Sequence, residues 1–255
     1  MNGTRRFYDE LAGDYHLIYA DWDASILRQA VALDALIASH LGPGPRRILD
    51  CACGIGTQSI GLAGRGHIVT GTDLSPVALT RATTESTRRG ARIPFAAADL
   101  RALPFPDATF DVVVCADNAL PHLLTPPDML AGLTSIRRVL APGGLLVAST
   151  RPYDTLRESR PHYSPPWLSQ TPEGRAISFQ LWHWHPDGER YDLEHFTLTP
   201  DGPSWHVAVR TATYWAITQP EFTQLLTTAE FTKIEWRPPE TSGFFQPIVT
   251  ATRAH

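Results

Sequence analysis

The 255-residue chain carries 22 Lys+Arg against 26 Asp+Glu, a formal net charge of −4, with 43% hydrophobic residues, which suits one α/β domain with an insertion better than two independent domains. Lys233 is the only lysine, so a lysine-rich footprint for nucleic acid is absent, and no apolar run approaches membrane-spanning length. Arg5-Arg6 leads into the mixed Phe7-Tyr8-Asp9-Glu10 rather than an apolar signal segment, so the expected location is cytoplasmic.

Residues 7–41 predict two helices, with Phe7, Leu11, Tyr15, Ile18, Tyr19 and Trp22 recurring at helical spacing. A first βαβ unit follows, with a strand over 48–51, a helix over 57–64 and a strand over 68–73. Ser75-Pro76 supplies a capping hydroxyl and a first-turn proline for a helix to about Arg89. Next come a strand over 93–97, an unbroken apolar strand over 110–115 fitting a sheet buried on both faces, and a helix over 128–140. Pro142-Gly143-Gly144 turns the chain into a strand over 145–149. The periodicity then changes to three antiparallel strands, 177–184, 190–198 and 204–215, joined at Asp187-Gly188 and Asp201-Gly202. A helix over 221–230 and strands over 233–236 and 248–252 complete the chain. The predicted fold class is α/β: a doubly wound, seven-stranded, mostly parallel sheet with an antiparallel β insertion after strand five.

The first strand ends in Asp50 and runs into Cys51-Ala52-Cys53-Gly54-Ile55-Gly56, whose glycines let the backbone approach a ligand closely. Asp73, at the tip of the second strand, can accept both hydroxyls of a ribose, and Asp99, at the tip of the third, can accept from an adenine amine. That spacing suits an adenosine-containing ligand. Ser59 stands where a dinucleotide fingerprint wants a third glycine, which disfavours NAD. The three cysteines, Cys51, Cys53 and Cys115, lack the spacing of a metal site or disulfide framework. They are expected as small packed residues, with Cys115 close to Cys51 or Cys53.

The ordered set D-x-x-C-G-x-G from Asp50, D-L-S from Asp73, A-D-L from Ala98, F-D-V-V from Phe110 and L-x-P-G-G from Leu140 resembles the class I S-adenosylmethionine (SAM) dependent methyltransferases over nearly the whole chain. The resemblance implies SAM as cofactor and S-adenosylhomocysteine as product. It implies cofactor contacts from Arg28, Asp50, Cys53, Gly54, Gly56, Asp73, Leu74, Asp99, Leu100 and Asn118. It also divides the chain into an N-terminal helical lid (1–45), a SAM-binding core (46–154), an antiparallel insertion roofing the substrate site (155–217) and the end of the core sheet (218–255).

Asp117-Asn118-Ala119-Leu120-Pro121-His122-Leu123, past the fourth strand, and Thr150-Arg151-Pro152-Tyr153-Asp154, past the fifth, resemble the glycine and sarcosine N-methyltransferase branch, whose patterns there are G-N-S-x-x-H-L and H-R-N-Y-D. This resemblance implies Arg151 as a clamp on a substrate carboxylate, Asn118 as a substrate or SAM hydrogen-bonding group and Tyr153 as part of the wall. Arg28 stands where that branch has an arginine for the methionine carboxylate of SAM. A guanidinium meets a carboxylate with two parallel hydrogen bonds. Asp117 replaces a glycine and Pro152 an asparagine, which argues against plain glycine as substrate. The alternatives for Asp117 are an acidic group facing the substrate and a cap before Pro121.

His122 has two readings, a general base for an oxygen acceptor or a residue that holds its loop. Tyr15 and Tyr19, four apart, are expected on one helix face touching donor or acceptor, with core packing the alternative. In the insertion, pairing across Asp187-Gly188 sets Trp182 opposite Leu193 and Trp184 opposite Tyr191, either as core or as a surface for a flat or cationic guest. The same pairing puts His183 and His185 on the other face, which disfavours a metal site. The expected function is methyl transfer to a small-molecule acceptor, at the nitrogen of an amino acid or related carboxylate-bearing amine. The alternatives are O- or C-methylation of a natural-product intermediate and a non-catalytic SAM-binding module.

Overall fold

The apolar runs of the first half pair as neighbouring parallel strands, each followed by a helix that covers one of their faces. The computed structural model describes residues 3–171 and 174–254. In chain order these run α1 (Gly3–Leu11), α2 (Trp22–Leu41), β1 (Arg47–Asp50), α3 (Thr57–Gly64), β2 (Ile68–Asp73), α4 (Pro76–Arg88), β3 (Phe95–Ala97), β4 (Phe110–Cys115), α5 (Pro126–Val139) and β5 (Leu140–Ser149). Then follow α6 (Tyr153–Ser159), β6 (Trp167–Thr171), β7 (Gly174–Trp184), β8 (Arg190–Asp201), β9 (Ser204–Trp215), α7 (Gln219–Thr228), β10 (Phe231–Arg237), α8 (Pro239–Ser242) and β11 (Ile248–Arg253).

Seven strands form one sheet in the order β10-β11-β5-β4-β1-β2-β3, and β6-β7-β8-β9 form a second, antiparallel sheet. In the large sheet only β11 breaks the parallel pattern, running antiparallel to both β5 and β10. Alternation along the central strands divides the core in two. Leu49, Val113 and Leu146 face α5 and α7, whereas Ile48, Val112, Val114 and Val147 face α2. Local chemistry sets the helix starts: Ser75 Oγ accepts from Ala78 N at 3.0 Å above Pro76, and Thr218 with Glu221 forms a reciprocal capping box for α7.

Several boundaries differ from the sequence expectation for identifiable reasons. β5 begins at Leu140, because Pro142 to Gly144 pair irregularly with β4 before the regular register from Leu145. A Cβ at Gly144 would lie 2.7 Å from the Ala141 carbonyl oxygen, so only glycine fits there. The aromatic stripe 7–22 is broken after Leu11, and Asp21 caps α2 by accepting from Ala24 N at 2.9 Å. Tyr15 therefore lies in a 3-10 turn and Tyr19 just beyond it, so the two do not share a helix face. The second sheet has a fourth strand, β6, that lies hidden behind Pro165-Pro166 in the sequence.

The expected register of the insertion holds: Trp182 pairs with Leu193 and Trp184 with Tyr191. Its inner face packs Trp182, Tyr191, Leu193, Ala212 and Tyr214 on Phe7, Leu11 and Tyr153. His183 and His185 point outward and pair with Glu194 at 3.3 Å and Asp192 at 3.1 Å. The cysteines are free thiols, and Cys51 and Cys115 lie beside each other at the ends of the neighbouring strands β1 and β4. No helix among the described residues is long and apolar enough to cross a membrane.

Candidate active site

The tips of β1, β2 and β4, all parallel, open onto one cavity of about 370 Å³ whose lining includes Gly54, Asp73, Leu74, Asp99, Leu100 and Asp117. The β1 tip turns through Gly54 (φ +52°) and Gly56 (φ +90°), a left-handed path open to glycine and strained for other residues. The turn is fastened by Asp73, whose carboxylate accepts from Gly54 N and from Ser75 N, each at 2.8 Å. Burial raises the Asp73 pKa, opposed by those backbone donors. Asp50 lies behind the loop rather than on the cavity wall, accepting from Ser59 Oγ at 2.6 Å. Gly56 is also off the wall, packed against Ile60 and Ala82. Cys53 lines the cavity.

Asp99 does line the cavity, but its carboxylate is already gripped by Arg101, with Nη2 at 2.6 Å, and that arginine reaches on to Asp128 at 2.6 Å. The N-terminal segment covers this space. Thr4, Tyr8, Tyr15 and Tyr19 all line it. Asp9 accepts from Ser75 Oγ at 2.6 Å, and Arg81 holds the carbonyls of Ala12 and Gly13, both at 2.6 Å. Arg210 of β9 donates to the Glu10 carbonyl at 2.9 Å and pairs with Asp14.

A second cavity, of about 680 Å³, shares Tyr19 and Asp117 with the first and adds Arg28, Arg151, Gln180 and Gln246. Arg28, the residue expected at the donor's methionine end, is exposed on this second wall and does not line the first. Its neighbour Gln29 is buried on the inward face of α2 and is tied to Gln58 at 2.7 Å. Arg151 donates to Tyr191 Oη at 2.9 Å and to Gln180 Oε1 at 3.2 Å, and its guanidinium lies 4.8 Å from the Trp182 ring centre and 5.3 Å from that of Tyr214. Burial opposes its charge, but Tyr191, Tyr153 and Tyr214 hold its pKa above the ordinary arginine value. Among the described residues it has no carboxylate within salt-bridge distance.

Asp117 and Asn118 both adopt left-handed backbone, φ +58° and +67°, where β4 ends. Asp117 accepts from Tyr19 Oη at 2.8 Å and from Gln246 Nε2 at 3.1 Å, and its own N–H donates to Ser149 Oγ at 2.8 Å. It therefore does not cap a turn before Pro121. Asn118 lines neither cavity; its Oδ1 accepts from Arg151 N at 3.1 Å and fixes the two loops to each other. Tyr153 stands behind the wall, its hydroxyl 3.1 Å from that of Tyr191. His122 lines the first cavity, bonded to Tyr8 Oη at 2.8 Å, and burial pushes its pKa down to about 3. Such an imidazole is neutral and a weak base, which favours the loop-holding role.

Sequence reasoning missed Gln246, Gln180 and Tyr214. Tyr214 was accessible from strand alternation with Ala212, but a lone glutamine ahead of Pro247 carries no pattern.

The comparisons with known proteins agree with this geometry. A methyltransferase-domain family model matches residues 48–144. A methyltransferase of Bacillus subtilis (strain 168), YqeM, is 34% identical over 204 residues, 74% of this chain and 75% of that protein. A glycine/sarcosine N-methyltransferase of Parasynechococcus marenigrum is 33% identical over 139 residues, 54% of this chain and 48% of that one. The chain spans about half the length of several curated relatives it matches, 49% in the case of an uncharacterised Mycobacterium tuberculosis protein. Among solved structures, SAM-bound CalS10, an amino pentose methyltransferase from Micromonospora echinaspora, is 22% identical and superposes with a TM-score of 0.72, covering 90% of this chain and 92% of that one. The chain belongs to the class I SAM-dependent methyltransferase family, with SAM as its cofactor.

Proposed function

We propose that the protein transfers the methyl group of SAM to the nitrogen of an amino acid or related amine that carries a carboxylate. In this reading the first cavity holds the donor, with Asp73 on the ribose and Asp99 and Leu100 at the adenine. The segment 1–45 is its lid, and the insertion 155–217 roofs an acceptor room in the second cavity. The observation that carries the reading is Arg151, a cation seated on Trp182 and Tyr214 with no carboxylate partner among the described residues. A guanidinium so placed is suited to an incoming carboxylate. Arg28 on the same wall adds positive charge at the entrance.

The sulfonium is a good leaving group whose charge disappears as the methyl moves, so the protein's contribution is alignment and exclusion of water. An acceptor hydroxyl would need a base, and His122, with its pKa near 3, is poorly suited to that role. The test is SAM turnover with pooled amino acids and biogenic amines, repeated with their carboxylates converted to amides. Turnover lost on amidation supports the reading. Turnover confined to amines without a carboxylate, or to phenols, retires it.

A further inference from the structure

Among the described residues, Asp117 is the one carboxylate that lines both cavities. It is hydrogen-bonded to Tyr19, the other residue that the two cavities share. Its side chain is not spent on loop structure alone. Each oxygen accepts one hydrogen bond, Oδ2 from Tyr19 and Oδ1 from Gln246, and so each keeps a second lone pair. Arg151 shares the second cavity with it, yet the two form no ion pair. A carboxylate and a guanidinium held apart in one room complement a zwitterion, cation against Asp117 and anion against Arg151.

We propose that Asp117 receives the ammonium of the acceptor and takes its proton, making it the catalytic base of the reaction; this rests on the amine reading above. One N–H proton passes to a free lone pair of Asp117, leaving a neutral amine. The nitrogen lone pair forms the new N–C bond to the methyl group as the C–S bond breaks, its electron pair staying on sulfur. The sulfonium thereby becomes the thioether of S-adenosylhomocysteine, the product leaves as a methylammonium, and Asp117 returns its proton to solvent. The groups facing Asp117 are Tyr15 and Tyr19 of the N-terminal segment, Tyr214 of β9, Arg151 after β5, and Gln246 ahead of β11. Burial raises its pKa, with Tyr19, Arg151 and Gln246 opposing, which is the direction that suits a proton acceptor.

The experiment needs no acceptor. Sinefungin is the SAM analogue in which a carbon bearing an ammonium replaces the methylated sulfur, so its cation stands at the transfer position; S-adenosylhomocysteine has no charge there. Both are titrated calorimetrically into wild type and Asp117→Asn, a substitution whose side chain tolerates the left-handed backbone of this position. Wild type is expected to prefer sinefungin by about tenfold or more, and the variant to lose most of that preference, read as the ratio of its two affinities. An unchanged preference overturns the proposal. Should the variant fail to fold, the wild-type preference is followed from about pH 8 down to the acid limit of the folded protein; protonation of Asp117 is expected to erode it, and a ratio flat over that whole range overturns the proposal. Because neither analogue is an acceptor, failure here is distinct from failure of the amidation assay.

Discussion

Asp50→Asn separates the charge of the carboxyl at the end of β1 from its shape. Asp50 is 1% exposed, accepts from Ser59 at 2.6 Å, and has its pKa pushed by burial from 3.8 to about 7. The folded state therefore holds this proton more tightly than the unfolded chain does. The stability the proton carries is complete below about pH 4 and is lost as the pH rises through about 7. A shift of about three units, at about 1.4 kcal/mol each, amounts to about 4 kcal/mol. Asparagine keeps the acceptor for Ser59 and removes the titration. The difference in unfolding free energy, variant minus wild type, is then expected to grow by about 1.4 kcal/mol per pH unit between about pH 4 and about pH 7 and to level off above. His122 and His195, lowered by burial to about 3 and about 4, impose the opposite slope below about pH 6.5, but on both proteins alike. Urea unfolding of the pair at closely spaced pH values reads the difference directly. A difference that stays flat from about pH 5 to about pH 8 refutes the argument.

Arg151→Lys keeps the charge but loses the two-pronged geometry, so the KM of a carboxylate-bearing acceptor should rise about 10- to 100-fold with that of SAM nearly unchanged; equal rises would mark Arg151 as structural. Asp73→Ala strips the acceptor from Gly54 N and Ser75 N and should weaken S-adenosylhomocysteine binding by about 1–3 kcal/mol in calorimetry. Unchanged affinity would remove Asp73 from the donor site. Tyr8→Phe leaves the buried Nε2 of His122 unpaired and is expected to cost about 1–3 kcal/mol in urea unfolding, whereas no loss would mean that water replaces the phenol. Arg210→Ala frees the Glu10 carbonyl and Asp14, so limited proteolysis should cut near residues 10–16 faster than in wild type. An unaltered cleavage rate would show that packing and the bonds to Ser75 and Arg81 hold this segment without Arg210.

The donor half was legible because its chemistry is written in consecutive residues. Gly54 and Gly56 hold the backbone turn that their spacing implied, and Ser75-Pro76 starts the helix it announced. Strand alternation likewise fixed which face of the insertion carries Trp182 and Tyr191. The second cavity was read less well, since its walls come from residues far apart in the chain. Arg28 falls on α2 where one residue of rotation turns a side chain by about 100 degrees, so it meets the second cavity while Gln29 faces inward. Tyr15 and Tyr19 reach the cavity by an irregular path, not by the helical period that singled them out. Asp117 was marked as a departure from pattern, and only three-dimensional placement shows that it borders both rooms.

The bonds from Arg210 to Glu10 and Asp14 join residues 200 and 196 positions apart, and Trp167 reaches the Leu17 carbonyl across 150. A ribosome that has released residue 149 has made every strand whose tip opens onto the first cavity, and the leading segment then has its bonds to Ser75 and Arg81 but not those from β6 and β9. Closing so long a loop costs little more entropy than closing a shorter one, about 0.6 kcal/mol per doubling, but it cannot begin until β9 has emerged. The two rooms therefore become complete at different times in the life of the chain. A nascent or C-terminally truncated molecule would present the first cavity under a segment held by Ser75 and Arg81 alone, and the Arg210 bonds close only once the last third of the chain has folded back over the first twenty residues.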